Sequence, residues 1–185
     1  IPLISWIEFY GLTSKIFTKK TFKNRLFRFI LKISSLSYLF FFSFFIFYTM
    51  NKNNGAEIIV IYSLLVCINS DIGGFICGKI FKGKKLTKIS PNKTISGTVG
   101  SFIFAFFLIP IFSKNFIELS LEVFILITFL ISLVSQIGDL FISFLKRKAK
   151  VKNTSNILPG HGGILDRIDG IIFATPFGIL LFNLF

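Results

Sequence analysis

Five long stretches of this chain run almost without charge: residues 33–50, 58–77, 95–112, 123–145 and 170–185. A hydrocarbon layer about 30 Å thick needs roughly 20 helical residues to cross it. The first four stretches meet that length, and the fifth does so if its helix starts further back, near Ile164. The runs are continuous rather than alternating, which disfavours a closed barrel. Mean hydropathy is +0.78, and 53% of the residues are hydrophobic, so a soluble domain is excluded by composition. The expected fold class is all-α: a polytopic integral membrane helical bundle of about five spans. Residues 1–12 (IPLISWIEFYGL) read as the tail of a further, partial span, as though N-terminal spans were missing. Cys67 and Cys77 share one stretch, ten residues apart, or about 15 Å along a helix. They cannot bridge within it and read as buried free thiols.

A net charge of +13 raises nucleic acid as a partner, but the distribution excludes it. Seven basic residues (Lys15, Lys19, Lys20, Lys23, Arg25, Arg28, Lys32) precede the first stretch. Six more (Lys79, Lys82, Lys84, Lys85, Lys88, Lys93) lie between the second and third. A last six (Lys146, Arg147, Lys148, Lys150, Lys152, Arg167) follow the fourth. The turns between carry only Lys52 and Lys114. Threading the spans alternately puts all three basic segments on one side, which the positive-inside rule assigns to the cytoplasm. The expected location is a cell (inner) membrane, with anionic lipid attracted to the basic face.

Carboxylates cost roughly 2.5–3.5 kcal/mol at mid-bilayer, yet Asp71 and Asp139 lie within apolar runs. Each sits about 10–12 Å before the basic end of its helix at the α-helical rise. Asp166 and Asp169 open the last stretch from the same side, so four carboxylates are expected in one layer. On the fourth stretch Ser132, Gln136, Asp139, Ser143 and Lys146 recur at spacings that fall on one helix face. On the second, Ser63, Cys67, Asp71, Gly74 and Gly78 form a stripe of small residues suited to close packing. A plainer reading has each Asp paired with a nearby Lys or capping a helix. Oxygen ligands without a Cys or His cluster suit a hard ion such as Mg²⁺, usually held by one or two carboxylates and substrate phosphates.

Between the second and third stretches, KISPNKTISG offers Ser90 as an N-cap and Pro91 in the first turn. The helix would then aim its positive end, with Lys93 and Thr94 beside it, at the same layer. An ordinary capped helix behind a basic turn explains the same residues equally. The densest polar cluster is LPGHGGILDRIDG, residues 158–170, which holds the only histidine, His161, and four of the fourteen glycines. No GxxxxGK[ST] run is present, so a P-loop enzyme is excluded.

From Ser143 through Lys146-Arg147, Lys152, Ser155, Leu158-Pro159, His161-Gly162-Gly163 and Asp166-Arg167 to Asp169, the chain resembles the signature of the phosphatidate cytidylyltransferases (CDP-diacylglycerol synthases). Asp71, Gly78-Lys79 and SPNKT resemble that family's second conserved region, so the likeness covers most of residues 60–185. Two positions depart: Asn153 stands where the signature has Asp, and Ser96 where an acidic residue is common. The resemblance implies one membrane-embedded domain over residues 1–185, with its catalytic region at about 60–185. It implies condensation of CTP with phosphatidic acid to CDP-diacylglycerol and pyrophosphate, with Mg²⁺ as cofactor, room for a second cation, and a homodimer. It further implies Asp139, Asp166 and Asp169 as metal ligands, with Asp71 as an accessory acid. Lys146, Arg147, His161 and Arg167 become catalytic phosphate contacts, and Ser90, Lys93, Thr94, Lys79, Lys152, Gly162 and Gly163 substrate contacts.

Two other readings stand beside it. A CTP-dependent kinase of a membrane alcohol, such as a polyprenol, would use similar acids and cations but attack the γ-phosphorus. A cation or proton transporter would use Asp71 and Asp139 as ion sites, but such acids sit near the midplane in repeated halves, and no internal repeat is visible here.

Overall fold

A computed structural model describes residues 2–18, 21–52, 56–87, 89–90, 93–117, 119–160 and 162–185. His161, Pro91, Lys19, Lys20 and Lys88, all singled out above, lie outside the described residues. The chain forms α1 (Pro2–Ile16), α2 (Phe22–Asn51), α3 (Glu57–Phe81), α4 (Ile95–Phe106), α5 (Ile109–Phe112), a 3₁₀ turn (Ser113–Asn115), α6 (Leu121–Lys148), α7 (Leu165–Ile168) and α8 (Ile171–Leu184). Among the described residues, four helical stretches are long and apolar enough to cross a membrane: α2, α3, α4 with α5 and the turn, and α6.

Several boundaries differ from the sequence expectation for identifiable reasons. Helix α2 starts eleven residues before the apolar run, so Lys23, Arg25, Arg28 and Lys32 belong to a helix rather than a loop. Its 30 residues span about 45 Å, enough for the basic turns to project beyond a hydrocarbon core. The third span is broken after Phe106, because the Pro110 ring lacks an N–H and would strike the Phe106 carbonyl of a continuous helix. The last segment also divides, into α7 and the 14-residue α8. Within α8, Pro176 deprives the Ile172 carbonyl of its usual donor four residues on. The Tyr38 hydroxyl of α2 donates to that oxygen instead, at 2.8 Å.

The expected N-cap also moves. Thr94, not Ser90, caps α4: its hydroxyl accepts from the Gly97 N–H at 3.1 Å. The preceding loop folds into a small hairpin, with Leu86 N–H donating to Lys93 O at 2.8 Å and Ile95 N–H to Lys84 O at 3.0 Å. That pairing keeps the chain extended up to Thr94 and leaves Ser90 in the hairpin's turn, where its carbonyl accepts from Lys93 N–H.

Glycine sets the helix spacing. A Cβ on Gly74 would lie 2.7 Å from Ser101 Oγ, and one on Gly97 2.7 Å from the Gly74 carbonyl, so α3 and α4 touch backbone to backbone, as the small-residue stripe predicts. Helix α6 approaches the turn that leads into α8 in the same way, a Cβ on Gly138 lying 2.9 Å from the Asp169 carbonyl. Hydroxyl pairs join α3 to α6: Tyr62 with Thr128 at 2.5 Å and Ser70 with Ser132 at 2.9 Å. Tyr62, Val66, Ile127, Ile131 and Ala174 fill the core of this group. A second apolar cluster, Leu12, Leu39, Ile142, Leu165 and Ile172, packs α1 and α2 against α6 and α7. Both cysteines are free, Cys67 buried and Cys77 half-buried.

Candidate active site

The close approach of α3 and α4 and the C-terminal half of α6 enclose a cavity of about 310 Å³. Asp71, Gly74 and Phe75 line it from α3, Ser90 and Lys93 from the hairpin, Thr94, Gly97, Thr98 and Ser101 from α4, and Gln136 and Asp139 from α6. Five of the residues singled out in the sequence, Asp71, Ser90, Lys93, Thr94 and Asp139, therefore line one cavity. Lys93 forms an ion pair with Asp139 across it. The polar stripe on α6 points inward: Ser132, Ser143 and Lys146 are buried, and Ser143 Oγ donates to Asp139 Oδ1 at 3.3 Å.

Asp169 lies close enough to Asp139 for the two carboxyl groups to interact, the contact of Gly138 with Gly170 bringing it against α6. Asp169 is itself buried, and its Oδ1 accepts from the Gly170 N–H at 3.0 Å. Two carboxyl groups at such a separation hold either a shared proton or a cation between them. Of the two, Asp139 lines the cavity, and together they offer hard oxygen donors that fit Mg²⁺ completed by phosphate oxygens. Among the described residues, no group of three or more His, Cys, Asp or Glu side chains could hold a metal ion by itself.

The third expected ligand, Asp166, faces elsewhere. Its Oδ1 accepts from the Lys146 ammonium at 2.8 Å. Its Oδ2 accepts from Thr154 N–H at 2.8 Å, Thr154 Oγ1 at 2.9 Å and Gly163 N–H at 3.0 Å. Burial by itself would raise the Asp166 carboxyl, but the donors from Lys146, Gly163 and Thr154 outweigh it and hold the group below the usual carboxylate range. Asp166 thus gathers the polar loop around one charge and fixes Lys146 on the side of Asp169, whose field it tempers.

The glycines of that loop serve its geometry. Gly162 has φ +85° and pairs with Leu158 in a tight bridge, N–H to O at 2.9 and 3.1 Å, a conformation suited to glycine. A Cβ on Gly163 would lie 2.6 Å from Glu8 Oε1. Arg147 ties two loops together, its Nε donating to Ile89 O at 3.3 Å and its Nη1 to Val151 O at 3.4 Å. Lys79, Lys152 and Arg167 are exposed and do not line the cavity; Lys79 Nζ lies 5.7 Å from the ring centre of the cavity residue Phe75.

Glu8 escaped the sequence reading. It is buried on α1, and its carboxylate accepts from Ser155, Thr154, and the N–H groups of Ile164 and Leu165. The signal was present: an acid inside an apolar run, the criterion that picked out Asp71 and Asp139.

Residues 3–185 match the cytidylyltransferase family. A phosphatidate cytidylyltransferase of Helicobacter pylori (strain J99) is 38% identical over 142 residues, 76% of this chain and 53% of that protein. One from Staphylococcus aureus (strain COL) is 39% identical over 135 residues, 71% of this chain and 51% of its own length. One from Bacillus subtilis (strain 168) is 41% identical over 128 residues, 68% and 48% respectively. The chain thus spans about half the length of the curated relatives it matches. The polar loop, the intramembrane acids and the match over nearly the whole sequence agree: the chain belongs to the cytidylyltransferase family.

Proposed function

We propose that this chain transfers a cytidylyl group from CTP to phosphatidic acid, giving CDP-diacylglycerol and pyrophosphate. The observation that carries the reading is the cavity in which Lys93 and Thr94, at the start of α4, face Asp139, with the Asp169 carboxyl close enough to Asp139 to interact with it. Such a site presents cations and a helix N-terminus to phosphates, and carboxylates to the counter-ion those phosphates bring.

An oxygen of the lipid phosphate attacks the α-phosphorus of CTP, and pyrophosphate leaves. A phosphate monoester is already a nucleophile near neutral pH, so the protein has two tasks: to bring two polyanions together and to align them. Lys93 is positioned to exchange Asp139 for a phosphate oxygen. Lys146, held by Asp166, supplies a second fixed cation next to Asp169. Asp139 and Asp169, with Asp71 across the cavity, would hold Mg²⁺, whose role when bound is to neutralise phosphate charge and polarise the reacting phosphoryl group. Arg147, Arg167, Lys79 and Lys152, with His161, which lies outside the described residues, would add phosphate contacts as the substrates bind, and a second cation would sit within the same acid layer. By the positive-inside rule the basic segments support a site at the cytoplasmic face of a cell membrane; the reading takes the chain as one domain and a homodimer as its assembly.

The position of the label in the product tests the reaction. With CTP labelled at the α-phosphorus, the lipid product gains label; with CTP labelled at the γ-phosphorus, label leaves as pyrophosphate. Label in lipid from the γ-position, with CDP released, would replace this reading with the kinase.

A further inference from the structure

Helix α1 contributes one charged side chain to the interior of the protein. Glu8 is 3% exposed, and its carboxylate accepts from three donors of the loop, with a hydroxyl shared with Asp166 beside it. Oε1 accepts from Ser155 Oγ at 2.5 Å and from Ile164 N–H at 3.1 Å. Oε2 accepts from Leu165 N–H at 2.7 Å and lies 3.2 Å from Thr154 Oγ1. Neither ion pair among the described residues involves it, so hydrogen-bond donors of the loop compensate its charge. Those donors come from both ends of the segment 154–165, the same segment whose Thr154 and Gly163 hold Asp166. The Thr154 hydroxyl stands between the two carboxylates, 2.9 Å from Asp166 Oδ2. A side chain at position 163 would collide most closely with Thr154 Oγ1, and with both Glu8 oxygens at 2.6 and 2.7 Å, so the loop closes tightly on Thr154 and this carboxylate together.

We infer that Glu8 is a positioning residue: it latches the polar loop so that Asp166 presents the Lys146 ammonium beside the Asp139–Asp169 pair. Glu8 does not line the cavity and acts only through the loop. The kinetic consequence rests on the cytidylyltransferase reading; the latch itself does not.

The test compares the wild-type chain in detergent with Glu8→Gln, Ser155→Ala and the double variant. Glutamine keeps the shape but turns an amide N–H₂ toward two of the donors. Amide hydrogen exchange of Ile164 and Leu165 should rise at least about tenfold in Glu8→Gln, with α3 and α4 unchanged. With CTP and phosphatidic acid, kcat should fall at least about tenfold while KM for CTP stays within about threefold. The double variant should be no worse than Glu8→Gln alone, because Ser155 acts through the same carboxylate. Should Glu8→Gln fail to fold, Ser155→Ala must still speed exchange at Ile164. Unchanged exchange overturns the latch, and faster exchange with unchanged kcat reduces Glu8 to a structural fastening. A wild type that makes no product removes the cytidylyltransferase reading, and exchange then decides the latch alone.

Discussion

Pro176 and Tyr38 offer a quantitative check on the packing that holds the site. Pro176 removes the N–H that would reach the Ile172 carbonyl, and the Tyr38 hydroxyl takes its place at 2.8 Å. Ile172 is 3% exposed, so no solvent is at hand to substitute. In Tyr38→Phe the carbonyl is left without a donor, a loss of about 1–3 kcal/mol in proteins generally and nearer about 1 kcal/mol between membrane helices. The ring itself, stacked on Phe173 at 5.9 Å, is kept. In Pro176→Ala the backbone N–H is restored, so adding Tyr38→Phe to that background should cost only a few tenths of a kcal/mol. The double-mutant cycle should therefore return a coupling of about 1 kcal/mol. Reversible unfolding in mixed detergent micelles, followed through the single tryptophan, Trp6, measures it. Additivity of the two substitutions within about 0.3 kcal/mol would refute the donor substitution, and with it the account of how α2 docks on α8.

Three further outcomes follow from the geometry. Gly97→Ala places a Cβ 2.7 Å from the Gly74 carbonyl; it should destabilise the chain by about 1–3 kcal/mol and weaken CTP binding by widening the cavity, as denaturation and binding titrations would show. Asp166→Ala should be more damaging than Lys146→Ala, because the first orphans an ammonium and three other donors, whereas the second leaves Asp166 three partners. Expected losses are about 3–5 against about 1–3 kcal/mol, and equal losses would contradict the central role given to Asp166. Gly163→Ala should displace both Thr154, which the new Cβ would strike most closely, and Glu8, and so speed exchange at Ile164 and Leu165 at least as much as Glu8→Gln, read by the same mass measurement.

Much of the site was legible because membrane chains display their functional polarity against an apolar background. Asp71 and Asp139 stood out by that contrast, and the α6 stripe from Ser132 to Lys146 followed from helical periodicity alone. The N-cap was not legible: Ser90-Pro91 and Thr94 both carry capping signals, and the choice was made by the hairpin pairing of Leu86 with Lys93, a contact across the loop. Pro110 and Pro176 broke or strained helices whose apolar pattern ran on without interruption. Asp166 was read as a ligand from its place in a motif. Its partners, Lys146 and Thr154, lie twenty and twelve residues away, a distance over which local pattern carries no information. Glu8, more than 140 residues from Thr154 in sequence, needed the tertiary fold to acquire a role.

The most direct measurement is CDP-diacylglycerol formation from CTP and phosphatidic acid as Mg²⁺ is titrated, in wild type, Asp139→Asn and Asp169→Asn. Both substitutions keep side-chain volume and remove one charge from the pair, of which Asp139 lines the cavity. Mg²⁺-dependent turnover in wild type, reduced about a hundredfold or more in each variant, is the result predicted. Turnover in either variant within about threefold of wild type at the same Mg²⁺ would contradict the claim that this carboxylate pair holds the metal for cytidylyl transfer.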